Sequence, residues 1–205
     1  MRVLLTGFEP FCIYKEKSSW AVAEKVAACG VNGTEIIAQR LPVSFARVGA
    51  ALRRAVEEYH PDVIIILGQS ANINYVKLER IAINMMDATI ADNDGYVPDE
   101  EPITPGEEAA LFTNVYIKQL CKAVETVGVA AKVSNSAGLY VCNRTYYEAL
   151  QLCKECPETK ALFVHLPLYE GQLAATVGKP TMLLGDMVKA IKMIIHKMND
   201  TSTKI

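Results

Sequence analysis

Strands alternating with helices predict an α/β layer fold around a mostly parallel sheet for this 205-residue chain. Three observations carry the prediction. Asp62–Leu67 is a short β-branched run of the kind that suits a strand covered on both faces. Segments with helical spacing stand between the strand-like runs, as in the apolar positions 45, 48, 52, 55 and 59. Apolar residues make up 51% of the chain, enough for a sizeable core and too many for a disordered one.

In chain order, Arg2–Thr6 reads as a short buried strand and Ser18–Cys29 as a helix capped by Ser18 or Ser19. Thr34–Leu41 is strand-like, and Ser44–Tyr59 is a helix with Ser44 as its cap. After the strand Asp62–Leu67, Val76–Ile90 is extended, and a regular pleat would put 79, 81, 83 and 85 on one face. Ala91–Gly106 carries two Asp, an Asn, two Gly, three Pro and the acidic run 99–101, which makes it a loop long enough to suspect of function. Asn114–Val127 is helical, Ala130–Ser134 a strand, and Tyr140–Cys156 a helix with Cys142, Tyr146, Ala149 and Cys153 along one stripe. Ala161–Leu166 is a strand, and Thr181–Met198 a helix with 184, 188, 191, 195 and 198 on its apolar face. One domain over 1–199 is expected, with 200–205 as a frayed tail.

Charge and cysteine usage bound the function. The 21 basic and 23 acidic residues leave a formal charge of −2, which argues against nucleic-acid binding driven by bulk positive charge. The longest clean apolar run, Val63–Leu67, is far too short to span a bilayer. Gly7, Glu9 and Pro10 interrupt the first apolar patch before it could serve as a signal peptide, so a cytoplasmic protein is expected. The six cysteines then read as free thiols. Cys153 and Cys156 have CxxC spacing, but a zinc site needs a second ligand pair, and none sits nearby. A redox pair belongs at the start of a helix after a strand, whereas this one falls late in a helix, before Pro157.

Sites in such sheets collect at the carboxyl ends of strands. Cys142 follows a strand and a glycine-containing turn and falls in the first turn of a helix. There the helix dipole and free amides favour a thiolate, the form a cysteine nucleophile needs. A small buried cysteine would also pack well at that position. His165 is the one histidine at a strand's carboxyl end, since His60 and His196 read as surface residues. A hydrogen-bonded core histidine is the alternative there. Glu79 shares a face with Ile81, Ile83 and Met85 on the strand reading. An inward carboxylate needs a partner, in the neighbourhood of Arg80, a backbone amide or a histidine. If that face is solvent-exposed instead, Glu79 is an ordinary surface acid. Together the three supply a nucleophile, a base and an orienting acid, and any chain order can build such a triad.

Six blocks give these residues a context: LLTGFEPF at 4–11, PDVIIILGQ at 61–69, ERIAIN at 79–84, DNDGYVP at 92–98, SAGLYVCN at 136–143 and FVHLP at 163–167. In their order and spacing the chain resembles the pyroglutamyl peptidase I (pyrrolidone-carboxylate peptidase) family over roughly residues 1–197. The resemblance implies an α/β/α sandwich and a cysteine peptidase, without metal or cofactor, that removes an amino-terminal pyroglutamyl residue from peptides. It further implies a homo-oligomer, tetramer or dimer. By motif match, Cys142 would be the nucleophile, His165 the base and Glu79 the acid orienting it. Phe8 and Phe11 would flank the pyroglutamyl ring, Gln69 would act through its backbone, and Tyr140, Val141 and Ile90 would line the pocket.

The departures fall in the substrate loops. After GFEPF the family usually continues Gly-Gly and then Asn-Pro-Ser, whereas this chain has Cys12-Ile13 and then Lys17-Ser18-Ser19. Loss of the glycines predicts a differently shaped loop. Ser70-Ala71-Asn72-Ile73 replaces a common Gly-Gly-Arg run, and Tyr140 stands where phenylalanine is frequent. Two alternatives to the peptidase therefore stay open: a relative with shifted acyl or lactam specificity, and a weakly active protein that binds pyroglutamyl peptides.

Overall fold

The computed structural model describes residues 1–13, 16–170, 172 and 178–200. Its elements are β1 (Arg2–Phe8), α1 (Ser18–Cys29), β2 (Glu35–Leu41), α2 (Val48–Tyr59), β3 (Val63–Gln69), β4 (Val76–Glu79), β5 (Ile81–Ile83), β6 (Ala110–Phe112), α3 (Ile117–Thr126), β7 (Ala131–Ser134), α4 (Val141–Glu155), β8 (Lys160–Leu166), β9 (Leu168–Tyr169), β10 (Thr181–Met182) and α5 (Leu184–Asn199). Six strands form the main sheet in the order β2-β1-β3-β8-β4-β7. Neighbours run parallel except β8 and β4, which pair antiparallel. The mostly parallel α/β expectation holds.

The period-2 alternation of the strands sorts the core into two layers. Val3, Leu5, Ile65, Leu67, Leu162, Val164 and Leu166 face the side covered by α1, α3 and α5. Leu4, Ile64, Ile66, Ala161 and Phe163 face the side of α2 and α4. Both faces being covered explains why the central strands are continuous apolar runs. Close packing of α1 on β1 depends on Gly7, where a Cβ would lie 2.7 Å from the Trp20 Cα.

Several local expectations are corrected. Neither Ser18 nor Ser19 caps α1; Lys17 is the N-cap and makes no side-chain cap bond. The orphan Ser18 amide instead donates to Gln69 Oε1 at 2.8 Å, so the cap comes from a distant strand. Ser44 opens a turn ahead of α2, its Oγ accepting from the Arg47 amide at 3.1 Å. Thr181–Met182 is a strand beside β9, and the last helix starts at Leu184. Its buried stripe is Met187, Ala190, Ile191, Ile194 and Ile195, with 184, 188 and 198 on its flanks. Of the terminal stretch expected to fray, 201–205 lies outside the described residues.

The extended segment Val76–Ile90 breaks at Arg80, so 79, 81, 83 and 85 do not share a regular pleat. The Arg80 amide donates to Ser134 of β7 at 2.8 Å, while its carbonyl accepts from Thr113 at 2.9 Å. That exchange hands the chain from the main sheet to the small antiparallel pair of β5 and β6. Beyond it, Asn143 of α4 pins the chain with hydrogen bonds to the Ile83 amide and to the carbonyls of Ile83 and Met85, at 2.8–2.9 Å.

Candidate active site

The strand register brings the histidine and the acid together. Across the antiparallel β4–β8 pair, Lys77 lies opposite His165 and Glu79 opposite Phe163. These four residues share the sheet face that carries α4, and Glu79 and His165 are diagonal neighbours within side-chain reach. His165 Nδ1 lies 2.8 Å from Glu79 Oε1, with Glu79 fully buried and His165 6% exposed. Of the readings left open for Glu79, the histidine partner is the one found, and the solvent-exposed face is corrected. Arg80 turns away and donates to Asn135 Oδ1 at 2.9 Å. The Lys77 ammonium stands 3.1 Å from Glu79 Oε1, supplying a cation to the buried acid.

Cys142 approaches from the other layer. It is the second residue of α4, whose N-cap Tyr140 has extended backbone (φ −83°, ψ −171°). The preceding turn uses Gly138 at φ 81°, a left-handed angle that glycine takes without steric cost. The thiol is half-buried and stands close enough to the His165 ring to raise its pKa. With Nδ1 engaged by Glu79, Nε2 is the ring nitrogen left to meet it. Burial by itself would lower the His165 pKa, but the hydrogen bonds and charges of Cys142 and Glu79 outweigh it and raise the value to about 9. A histidine with a raised pKa beside a thiol and a buried carboxylate is an arrangement able to activate a cysteine nucleophile.

Gly68 makes room for the histidine. It pairs with His165 across β3 and β8. A Cβ there would lie 2.7 Å from the Phe163 ring and 2.8 Å from His165 Cδ2.

A cavity of about 260 Å³ opens beside Cys142. Phe8, Phe11, Gln69, Ile90, Tyr140 and Val141, the residues the family resemblance implies for the pocket, line it. Phe11 and Tyr140 pack with ring centroids 5.4 Å apart, and Phe45 meets Tyr140 edge-on at 5.0 Å. Phe8 and Val141 are buried, whereas Ile90 is 53% exposed at the rim. The Gln69 side chain is committed to the scaffold, accepting from the Ser18 amide and from Gln172 Nε2 at 2.6 Å.

The 91–106 loop fastens this wall. Asp92 accepts from the amides of Phe45, Asp94 and Tyr96 at 2.8–3.0 Å. Asn93 donates to Glu9 Oε1 and to the Pro10 carbonyl of the first loop, and the Tyr140 hydroxyl donates to Ala91 O at 2.9 Å. Arg47 clasps Asp94 through two hydrogen bonds of 2.8 Å, holding its carboxyl down at about 2. The first loop keeps a strained point: Cys12 has φ 57°, the left-handed angle a glycine would take freely.

Comparison with known proteins places the chain. The family model described as pyroglutamyl peptidase matches residues 1–200. The pyrrolidone-carboxylate peptidase of Thermococcus onnurineus is 40% identical over 196 residues, covering 95% of this chain and 97% of that protein. That of Clavibacter michiganensis is 38% identical over 205 residues, covering 99% and 96%. Among solved structures, pyroglutamyl peptidase I from Bacillus amyloliquefaciens superposes with a TM-score of 0.89 at 32% identity, covering 94% of each chain. A mutant pyrrolidone carboxyl peptidase from Pyrococcus furiosus gives 0.93 at 31% identity, covering 98% and 100%. Fold and site define a cysteine-type hydrolase. The chain belongs to the pyroglutamyl peptidase family.

Sequence reasoning did not single out Lys77, Gly68 or Asn143. Lys77 carried a usable signal, since it sits two residues before Glu79 and shares its face in a strand. Gly68 and Asn143 act through long-range contacts that leave no local pattern. Among the described residues, no helix is long and apolar enough to cross a membrane.

Proposed function

We propose that this chain removes an amino-terminal pyroglutamyl residue from peptides by nucleophilic catalysis at Cys142. The observation that carries the reading is the relay of Glu79, His165 and Cys142 at the mouth of an aromatic-walled cavity. The names of the relatives support the substrate. A pyroglutamyl ring is a small uncharged lactam, suited to an apolar slot with a few directed polar groups.

In this mechanism the Cys142 thiolate attacks the carbonyl that joins pyroglutamate to the next residue. A C–S bond forms, and the carbonyl electron pair moves onto oxygen. Free amides in the first turn of α4 face the developing oxyanion. The oxyanion collapses, the C–N bond breaks, and imidazolium His165 gives its proton to the leaving amine. Water then attacks the thioester while neutral His165 takes its proton. Pyroglutamate leaves, and the thiolate–imidazolium pair is restored. Glu79 orients the ring and offsets its charge, as the acid of a triad does. A cytoplasmic homo-oligomer, tetramer or dimer, accompanies this reading on the strength of the family resemblance.

The test is steady-state hydrolysis of a pyroglutamyl fluorogenic amide, with prolyl and acetyl amides as controls, for wild type and Cys142→Ala. Turnover confined to the pyroglutamyl amide and lost in the variant is expected. No turnover of any of the three by fresh, reduced protein would sink the reading in favour of a shifted acyl specificity or a binding role.

A further inference from the structure

Glu79 meets its partners unevenly. His165 Nδ1 at 2.8 Å and the Lys77 ammonium at 3.1 Å both face the same oxygen, Oε1. Oε2 is buried without a hydrogen-bond partner among the described residues. The residue is 0% exposed, so bulk water does not complete its shell. A carboxylate placed this way is costly unless nearby cations offset its charge.

The two cations differ in what the reaction does to them. His165 gives its proton to the leaving amine and must be neutral when water attacks. Lys77 stands at the edge of the site, its side chain 22% exposed, where an ammonium reaches water and takes no part in proton transfer. Strand register puts it there, opposite His165 on β8 and two residues before Glu79 on β4. The other titratable and charged groups around the pair are engaged elsewhere. Arg80 donates to Asn135, and Lys132, beside Lys77 in register on β7, lies over the Tyr75 ring at 4.4 Å. From α4, the Tyr146 hydroxyl donates to the Glu79 backbone carbonyl, and Cys142 acts on the imidazole. β3 brings no charged residue.

We propose that Lys77 is a positioning residue, the fixed countercharge that keeps Glu79 ionised and on Nδ1 while His165 is neutral and takes the proton of the attacking water. This deepens the peptidase reading and rests on it. Without Lys77 the imidazolium is the sole cation on a buried acid, and it parts with its proton less readily. The acyl-enzyme then holds more of its histidine protonated by solvent, and deacylation, which needs the neutral base, is the step most slowed.

The experiment compares Lys77→Met and Lys77→Arg with the unsubstituted lysine by two readouts. The first is independent of turnover: the pH midpoint of the His165 ring, followed by the Cε1 proton resonance in a chain with three histidines. It is recorded in a Cys142→Ala background, which removes the thiolate as the thioester does. Lys77→Met is expected to raise the midpoint by about one pH unit, and Lys77→Arg to restore it. With Glu79→Gln added, no carboxylate charge is left to offset, and Lys77→Met should move the midpoint much less. The second readout is the approach to steady state on the pyroglutamyl amide with Cys142 in place. Lys77→Met should lower kcat by roughly 3- to 10-fold and release a burst of amine as acyl-enzyme accumulates.

An unmoved or lowered midpoint in folded Lys77→Met would overturn the proposal. So would an equal shift with and without the Glu79 carboxylate, because the lysine would then act on the ring directly. A wild-type kcat without a burst would overturn it as well. If Lys77→Met does not fold, urea unfolding of Lys77→Met/Glu79→Gln decides. A cooperative transition there supports the countercharge, whereas a double variant that also fails to fold makes Lys77 a packing residue and overturns it. If wild type turns over no amide yet the midpoint rises as expected, the peptidase reading fails while the pairing of Lys77 with Glu79 stands.

Discussion

Substituting Gly68 by alanine tests whether the position of His165 limits activity. The added Cβ would lie 2.7 Å from two atoms of the Phe163 ring and 2.8 Å from His165 Cδ2, both on the neighbouring strand. Ordinary contact begins near 3.4 Å, so these rings must withdraw by about 0.6–0.7 Å. Phe163 has nowhere easy to go, being fully buried against Tyr146 with ring centroids 5.6 Å apart. His165 is held by Glu79 on one side and Cys142 on the other, so its displacement opens one of those contacts. Overpacking of this kind costs about 1–3 kcal/mol of stability. A catalytic group shifted by a good part of an ångström loses roughly 10- to 100-fold in rate. The assay is kcat and KM on the pyroglutamyl amide beside urea unfolding of the same samples. The expected result is a drop confined to kcat, with KM within about twofold, in a protein that still folds cooperatively. A folded Gly68→Ala protein with wild-type kcat would refute the argument that steric room at Gly68 sets the histidine.

Three further outcomes are expected. Asn143→Ala removes three hydrogen bonds to backbone groups of Ile83 and Met85; the Ile83 carbonyl keeps the Met85 amide as a partner, so at about 1–3 kcal/mol for each of the other two groups urea unfolding should report a loss of about 2 kcal/mol or more. Cys12→Gly relieves a left-handed φ of 57°; the relief, about 1–2 kcal/mol, outweighs or balances the extra unfolded-chain entropy of glycine, so thermal unfolding should show no destabilisation. The His165 pKa is raised from 6.5 to about 9, first against burial and then by Cys142 and Glu79. A raised basic pKa stabilises the fold fully below the unfolded value and loses that contribution as pH rises through the folded one. Both unfolding stability and kcat should therefore decline between pH 6.5 and about 9 as the imidazolium is lost, and a kcat profile flat through this window would contradict the assignment.

Much of the architecture was legible in local sequence. The β-branched run now in β3, the amphipathic period of α2 and the glycine turn before α4 each rest on interactions within a few residues of themselves. The helix spanning Ser18–Cys29 is the same in both readings, although its cap is not. The failures share a cause. The Ser18 amide is satisfied by Gln69, 51 positions away, so no local capping pattern could reveal it. The break at Arg80 exists because its two backbone groups pair with Ser134 of β7 and with Thr113, the residue that follows β6. The strand Ala110–Phe112 is too short for periodicity to register, and it forms only because β5 lies beside it.

The same division holds at the site. By itself the sequence determined which chemistry was available: a cysteine in the first turn of a helix, one histidine at a strand end, and a carboxylate in a strand, within blocks whose order points to one family. Residue type and local backbone set that much, because helix dipoles and strand ends are properties of a single segment. Only the tertiary structure decided that Glu79 faces inward, that it meets His165 at 2.8 Å, and that Lys77 stands on the same carboxylate. It also decided that Gly68 leaves space for the ring and that Lys17 turns toward the cavity. Those facts depend on strand register across an antiparallel pair, and on how closely α1 and α4 approach the sheet. They are fixed by packing between segments distant in the chain, which no short stretch of sequence encodes.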